Sequence, residues 1–159
     1  MEEEKVLGVI PHAGLKKGLF KSESCNLVVT SKRVIVAKFS KDIYRKEAQE
    51  RAEETKQEGR GRFKQFLSSA STMTTFYKRY LDMLPEDILK EIPGNFVIEP
   101  STVVKTQLKE GRRYRDEDGF EQQNPHSLLI VMPKAKLQFN FSGDIRNARN
   151  LLSGLFGKV

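Results

Sequence analysis

The sequence predicts a mainly β fold with helices, organised as one domain of 159 residues. Three observations carry that prediction: two strand-rich stretches flank a helical middle, the last strand alternates cleanly, and an amphipathic helix ends the chain. A chain of this length can bury one core, whereas two independent domains would each fall below the usual ~100 residues.

Val6 to Ile10 is a short apolar run that Pro11 is expected to end, and Leu19 and Phe20 sit in a second candidate strand between Gly18 and Ser22. Leu27 to Thr30 and Arg33 to Phe39 are rich in Val and Ile and read as an antiparallel hairpin turning at Ser31 and Lys32. Four strands are thus expected before residue 40. Both strands of the hairpin are apolar on both faces, whereas a sheet with one wet face alternates. Something must cover its outer side.

Residues 40–95 have a different character. Asp42 to Glu58 is charged almost throughout, with Asp42 and Lys46, and Glu47 and Arg51, in favourable helical order. Gly59 and Gly61 interrupt it. A second helix is predicted from Phe63 to Leu84, with Phe63, Phe66, Leu67, Met73, Phe76, Tyr77, Tyr80, Leu81 and Leu84 on one apolar stripe and no charge between Gln65 and Tyr77. Burying a Phe, Leu or Met contributes about 1.5–3 kcal/mol. This stripe is therefore the expected cover for the hairpin, for a sister subunit or for a lipid surface. Pro85 opens a short helix, Glu86 to Ile92, that Pro93 and Gly94 end.

In the second strand-rich stretch, Val103 to Tyr114 and Leu128 to Met132 bracket a polar loop, Arg115 to Pro125. Lys136 to Phe141 follows, with Leu137, Phe139 and Phe141 on one face. Ile145, Ala148, Leu151, Leu152, Leu155 and Phe156 then recur at helical spacing after Ser142 or Asp144, and Gly157 stops the helix.

The segment Asn26-Leu27-Val28-Val29-Thr30-Ser31-Lys32-Arg33-Val34-Ile35-Val36-Ala37 resembles the Leu-Thr-x-x-Arg-Leu-Ile hairpin of the pleckstrin-homology-like superfamily, in particular its GRAM and bacterial PH groups. The resemblance covers residues 5–39 and 96–157. It implies a partly open barrel of two antiparallel sheets, four strands and three, closed by the C-terminal helix. On that reading residues 40–95 are a helical insertion between the sheets. The absence of Trp, which the closing helix of many eukaryotic PH domains carries, departs from the pattern, and Leu151, Leu152 or Phe156 would fill its place.

No catalytic signature emerges, so a non-enzyme is expected. Cys25 has no His near it in sequence, and His12 and His126 stand beside Pro11 and Pro125 in expected loops. Asp116, Glu117 and Asp118 lack the later ligands of a calcium loop, and one Cys with two His is too little for a structural zinc site. No metal or cofactor is expected. The amino terminus, Met-Glu-Glu-Glu-Lys, has no signal-peptide pattern, and the longest aliphatic run, Leu128 to Met132, is too short to cross a bilayer. A cytoplasmic location follows, at most peripheral to a membrane.

Binding functions remain. The net charge is +7, and residues 40–95 hold 11 basic and 10 acidic groups, so the excess belongs to the strand-rich stretches. Lys16, Lys17 and Lys21 flank the first turn and Lys32 and Arg33 the next, and the resemblance makes the first of these a place for anionic headgroups. Five such cations supply at most about 5 kcal/mol toward an anionic membrane. The alternative is a solvated strand end that carries Lys for solubility. A basic cluster with an aromatic, Arg112 to Arg115, is compact and followed at once by acids, which argues against nucleic acid. The expected function is an interaction module for protein assembly, including self-association, or for peripheral membrane attachment.

Overall fold

The computed structural model describes residues 3–46, 49 and 76–159. The fold is mainly β: a seven-stranded antiparallel sheet, a two-stranded ribbon and a C-terminal helix. The strands are β1 (Val6–Lys16), β2 (Ser22–Thr30), β3 (Val34–Lys38), β4 (Phe96–Ile98), β5 (Lys105–Lys109), β6 (Arg113–Arg115), β7 (Glu121–Gln123), β8 (His126–Met132) and β9 (Ala135–Phe141). The large sheet runs β4-β3-β2-β1-β9-β8-β5, and β6 and β7 form the ribbon.

The expected pair of separate sheets is therefore one sheet. Its join is β1, which is 11 residues long, pairs with β2 along most of its length, and reaches β9 only at Gly14 and Leu15. The expected end of β1 at Pro11 does not occur. The register against β2 shifts between Ile10 and Ala13, and a bulge is where a strand tolerates the missing N–H of proline. His12 takes a left-handed φ of 53° there, and its N–H donates to the Asn26 side chain. Leu19 and Phe20 form no strand but lie in the β1–β2 turn. The fourth strand of this half is β4, which pairs with β3 from beyond the insertion. Residues 40–95 thus separate two neighbouring strands rather than two sheets. The polar loop expected at Arg115 to Pro125 contains the β6–β7 ribbon turn and β7 itself.

The order and the connections require a curled sheet. Seven strands at ~4.8 Å spacing put the edges of a flat sheet about 29 Å apart. Ile98 of β4 and Lys105 of β5 are seven residues apart, a reach of at most ~25 Å even fully extended, and Pro100–Thr102 shortens it as a 3-10 turn. The edges approach each other without pairing, so no closed barrel forms.

Inside the curl, Leu27, Val29, Val34, Val36, Ile130 and Phe139 form the main core with the Ile145–Phe156 helix. That helix begins as expected: the Asp144 carboxylate accepts from the Arg146 and Asn147 N–H groups. Ala148 and Leu152 are its buried contacts. Gly8 lets it approach β1, since a Cβ there would stand 2.8 Å from a Leu151 methyl.

Outside the curl, the two-faced apolar hairpin finds its cover within the same chain. Val28, Ile35 and Ala37 pack against Tyr80 of a 3-10 helix, Phe76–Asp82, and Ile88 of a short α-helix, Pro85–Glu91. Tyr80 and Ile88 are 1% and 0% exposed. Asn95 fastens this cover, accepting from the Lys38 N–H and donating to the Ile88 carbonyl. The described end of the expected Phe63 to Leu84 helix is thus 3-10, and Leu84 is extended because the residue before a proline avoids the helical region. Leu81 and Leu84 of the stripe are exposed, Tyr77 is half-buried, and Phe63, Phe66, Leu67 and Met73 lie outside the described residues. The two-faced hairpin does not call for a second chain.

Candidate functional site

The basic residues singled out by sequence separate into two places. Lys16, Lys17 and Lys21 surround the β1–β2 turn, whereas Lys32 and Arg33 stand at the β2–β3 turn, the far end of a nine-residue strand. At about 3.4 Å per residue those turns are roughly 30 Å apart along β2. They cannot form one headgroup site.

Arg33 is further withdrawn from any ligand. Its guanidinium bonds Glu4 at 2.9 Å and Glu86 at 2.7 Å, and Glu99 lies at 4.0 Å. Thr30 supports the cluster, its hydroxyl accepting from the Arg33 N–H and donating to Glu4. Burial opposes ionisation of Glu4, but the hydrogen bonds from Thr30 and Arg33 outweigh it and hold the carboxyl below its ordinary value. Burial likewise works against the Arg33 charge and is outweighed by Glu4 and Glu86, which raise its pKa. This cluster ties the start of the chain, the hairpin turn and the insertion together. Its role is structural.

The β1–β2 turn has the opposite character. Its neck is closed by the Lys17 N–H donating to the Lys21 carbonyl at 2.8 Å. Gly18 makes the reversal at a φ of 127°, a conformation that favours glycine. Beyond it stand Leu19 and Phe20, 85% and 97% exposed. Lys16, Lys17 and Lys21 form a collar of exposed cations around two bulky apolar side chains. Glu23 lies behind the collar, 2.9 Å from Lys38 and 3.8 Å from Lys17. The hydrogen bond from Lys38 is the chief reason its carboxyl is held below the ordinary value. The tip therefore keeps a positive excess.

The register adds cations that sequence reading missed. Leu15 of β1 opposes Phe139 of β9, and β9 runs back from there to Ala135 in the direction in which β1 runs on to its tip. The β8–β9 turn, with exposed Lys134 and Lys136, therefore lies toward the same end of the sheet as the collar. In sequence these lysines stand more than a hundred residues from Lys16, and only the pairing joins them. Leu19 and Phe20 had a local signal: a Gly followed by two large apolar residues between lysines, at the point where a hairpin must turn.

The other polar candidates have structural places. Cys25 is buried on β2, where burial, with the Glu23 charge second, pushes the thiol up to about 12. His12 is exposed on β1. His126, expected in a loop, is buried at the start of β8: its Nδ1 accepts from the Gly111 N–H at 2.9 Å, and Nε2 pairs with the Gly143 carbonyl at 3.0 Å. It ties the base of the ribbon to the approach of the closing helix. Arg112, Arg113, Tyr114 and Arg115 are on or beside the ribbon, close to Asp116 and Glu121. Among the described residues no helix is long and apolar enough to cross a membrane. In comparisons with known proteins, the chain matches no protein-family model, no curated protein and no solved structure.

Proposed function

We propose that this protein is a non-catalytic, pleckstrin-homology-like module that attaches peripherally to anionic membrane surfaces through its β1–β2 tip. The family reading is supported by the strand order, in which four strands (β1–β4) and three (β5, β8, β9) join through β1 into a curled, unclosed sheet with a C-terminal helix in its core. The single observation that carries the function is the pair Leu19 and Phe20, nearly fully exposed inside a collar of Lys16, Lys17 and Lys21.

Lysines alone are explained by solubility. Two adjacent bulky apolar side chains held in water by a closed turn are not, because each forgoes about 1.5–3 kcal/mol of burial. At a bilayer interface the same arrangement is favourable throughout. The collar contributes about 1 kcal/mol per lysine at an anionic surface. Inserting Leu19 and Phe20 adds about 3–6 kcal/mol. The sum of roughly 6–9 kcal/mol corresponds to binding in the micromolar range. Charge alone would leave it near millimolar. Headgroup attraction thus steers the tip, and the apolar pair holds it.

The test is co-sedimentation with phosphatidylserine-containing and pure phosphatidylcholine vesicles. The module binds the first and not the second, and both Leu19→Ser/Phe20→Ser and Lys16→Glu/Lys17→Glu release it. Equal binding to both vesicles, or binding indifferent to both double variants, overturns the proposal.

A further inference from the structure

The free edge of β5 faces a groove of about 500 Å³ that the membrane reading leaves unused. One wall is the edge strand with Val103 and Val104 before it; the other is the end of the closing helix, Leu155 and Phe156, with Lys158 and Val159 beyond. The Thr106 hydroxyl donates to the Lys158 carbonyl at 3.2 Å and holds the two walls together. Among the described residues β5 pairs with β8 alone, so its outward N–H and C=O groups lack a strand partner. Val104 is 69% exposed at the groove's mouth. The charged side chains of the lining are Lys105 and Lys158, and exposed Lys109 ends the strand.

We propose that this groove takes an extended acidic peptide segment of a partner protein, added as an eighth strand to β5. The backbone groups of an edge strand are met by another extended backbone, whereas an acyl chain leaves them unmet. Alternate side chains of the added strand then fall on Val104, Leu155 and Phe156, and acidic residues between them meet Lys105, Lys109 and Lys158. Edge lysines commonly discourage strand pairing. Beside an apolar groove they select instead, repelling basic strands and admitting acidic ones.

The experiment uses the full chain without membranes and a fluorescein-labelled nine-residue peptide of alternating glutamate and valine. Anisotropy should show saturable binding. Replacing the glutamates by lysine, or N-methylating every second peptide bond, should weaken it by about tenfold or more. Lys105→Glu/Lys158→Glu in the protein should do the same, while Leu19→Ser/Phe20→Ser leaves it unchanged. Amide shift changes should cluster on residues 103–109 and 155–159. Absence of saturable binding, equal binding of the N-methylated peptide, or shift changes centred elsewhere overturns the proposal and leaves the membrane reading untouched.

Discussion

Arg33 shows how a single residue changes meaning between sequence and structure. By position it is a turn cation beside Lys32, and its ligands are invisible in sequence because Glu4 and Glu86 stand 29 and 53 residues away. Arg33→Ala should destabilise the fold by about 2 kcal/mol in urea unfolding, since it strands the partly buried Glu4 carboxylate, while Lys32→Ala should be nearly silent. The acid response follows from Glu4. Its carboxyl is held below the ordinary 4.5, so its share of stability is complete above that value and is lost as the pH falls through the lower, folded value. The stability gap between wild type and Glu4→Gln, measured by urea unfolding, should be open near neutrality and close in acid well below 4.5. The lysine collar, by contrast, is local and could be read directly from its spacing around Gly18.

At the scale of elements, the two-faced apolar hairpin was legible as a demand for a cover, because Leu27 to Val29 and Val34 to Ala37 leave no polar face. The residues that answer it were only half legible: Tyr80 lay on the predicted stripe, but Ile88 sits in the next helix and Asn95 in the loop beyond. Removing Tyr80 should cost about 3 kcal/mol, the usual penalty for emptying a large buried aromatic site. Leu81→Ala, on the same turn but half exposed, should change stability by less than about 0.5 kcal/mol. Thermal unfolding of the two variants side by side checks the assignment of the cover. The passage of β1 through Pro11 depends on the register of its neighbour. Gly18 marks the turn at Leu19 and Phe20 locally, but whether anything covers those two side chains depends on the rest of the fold.

At the scale of the whole fold, the described residues form a curled sheet one end of which carries a cluster of lysines. Strand content and the closing helix were legible from periodicity, whereas the gathering of Lys16, Lys17 and Lys21 with Lys134 and Lys136 depends on β1 crossing from one half of the sheet to the other. Vesicle binding should therefore weaken as salt rises, because exposed charges are screened beyond about 8–10 Å at physiological ionic strength. Lys134→Glu/Lys136→Glu should weaken it in the same direction as changes in the collar, and Lys32→Glu, at the far end of β2, should leave it intact.

The central claim, that Leu19 and Phe20 enter an anionic bilayer, is tested most directly by fluorescence. Phe20→Trp places a reporter at the tip of a chain that has no tryptophan of its own. On addition of phosphatidylserine vesicles its emission should shift to the blue and become quenchable by brominated acyl chains, with no change on pure phosphatidylcholine. An emission that stays at its aqueous wavelength while the protein is bound to the vesicles would contradict the account.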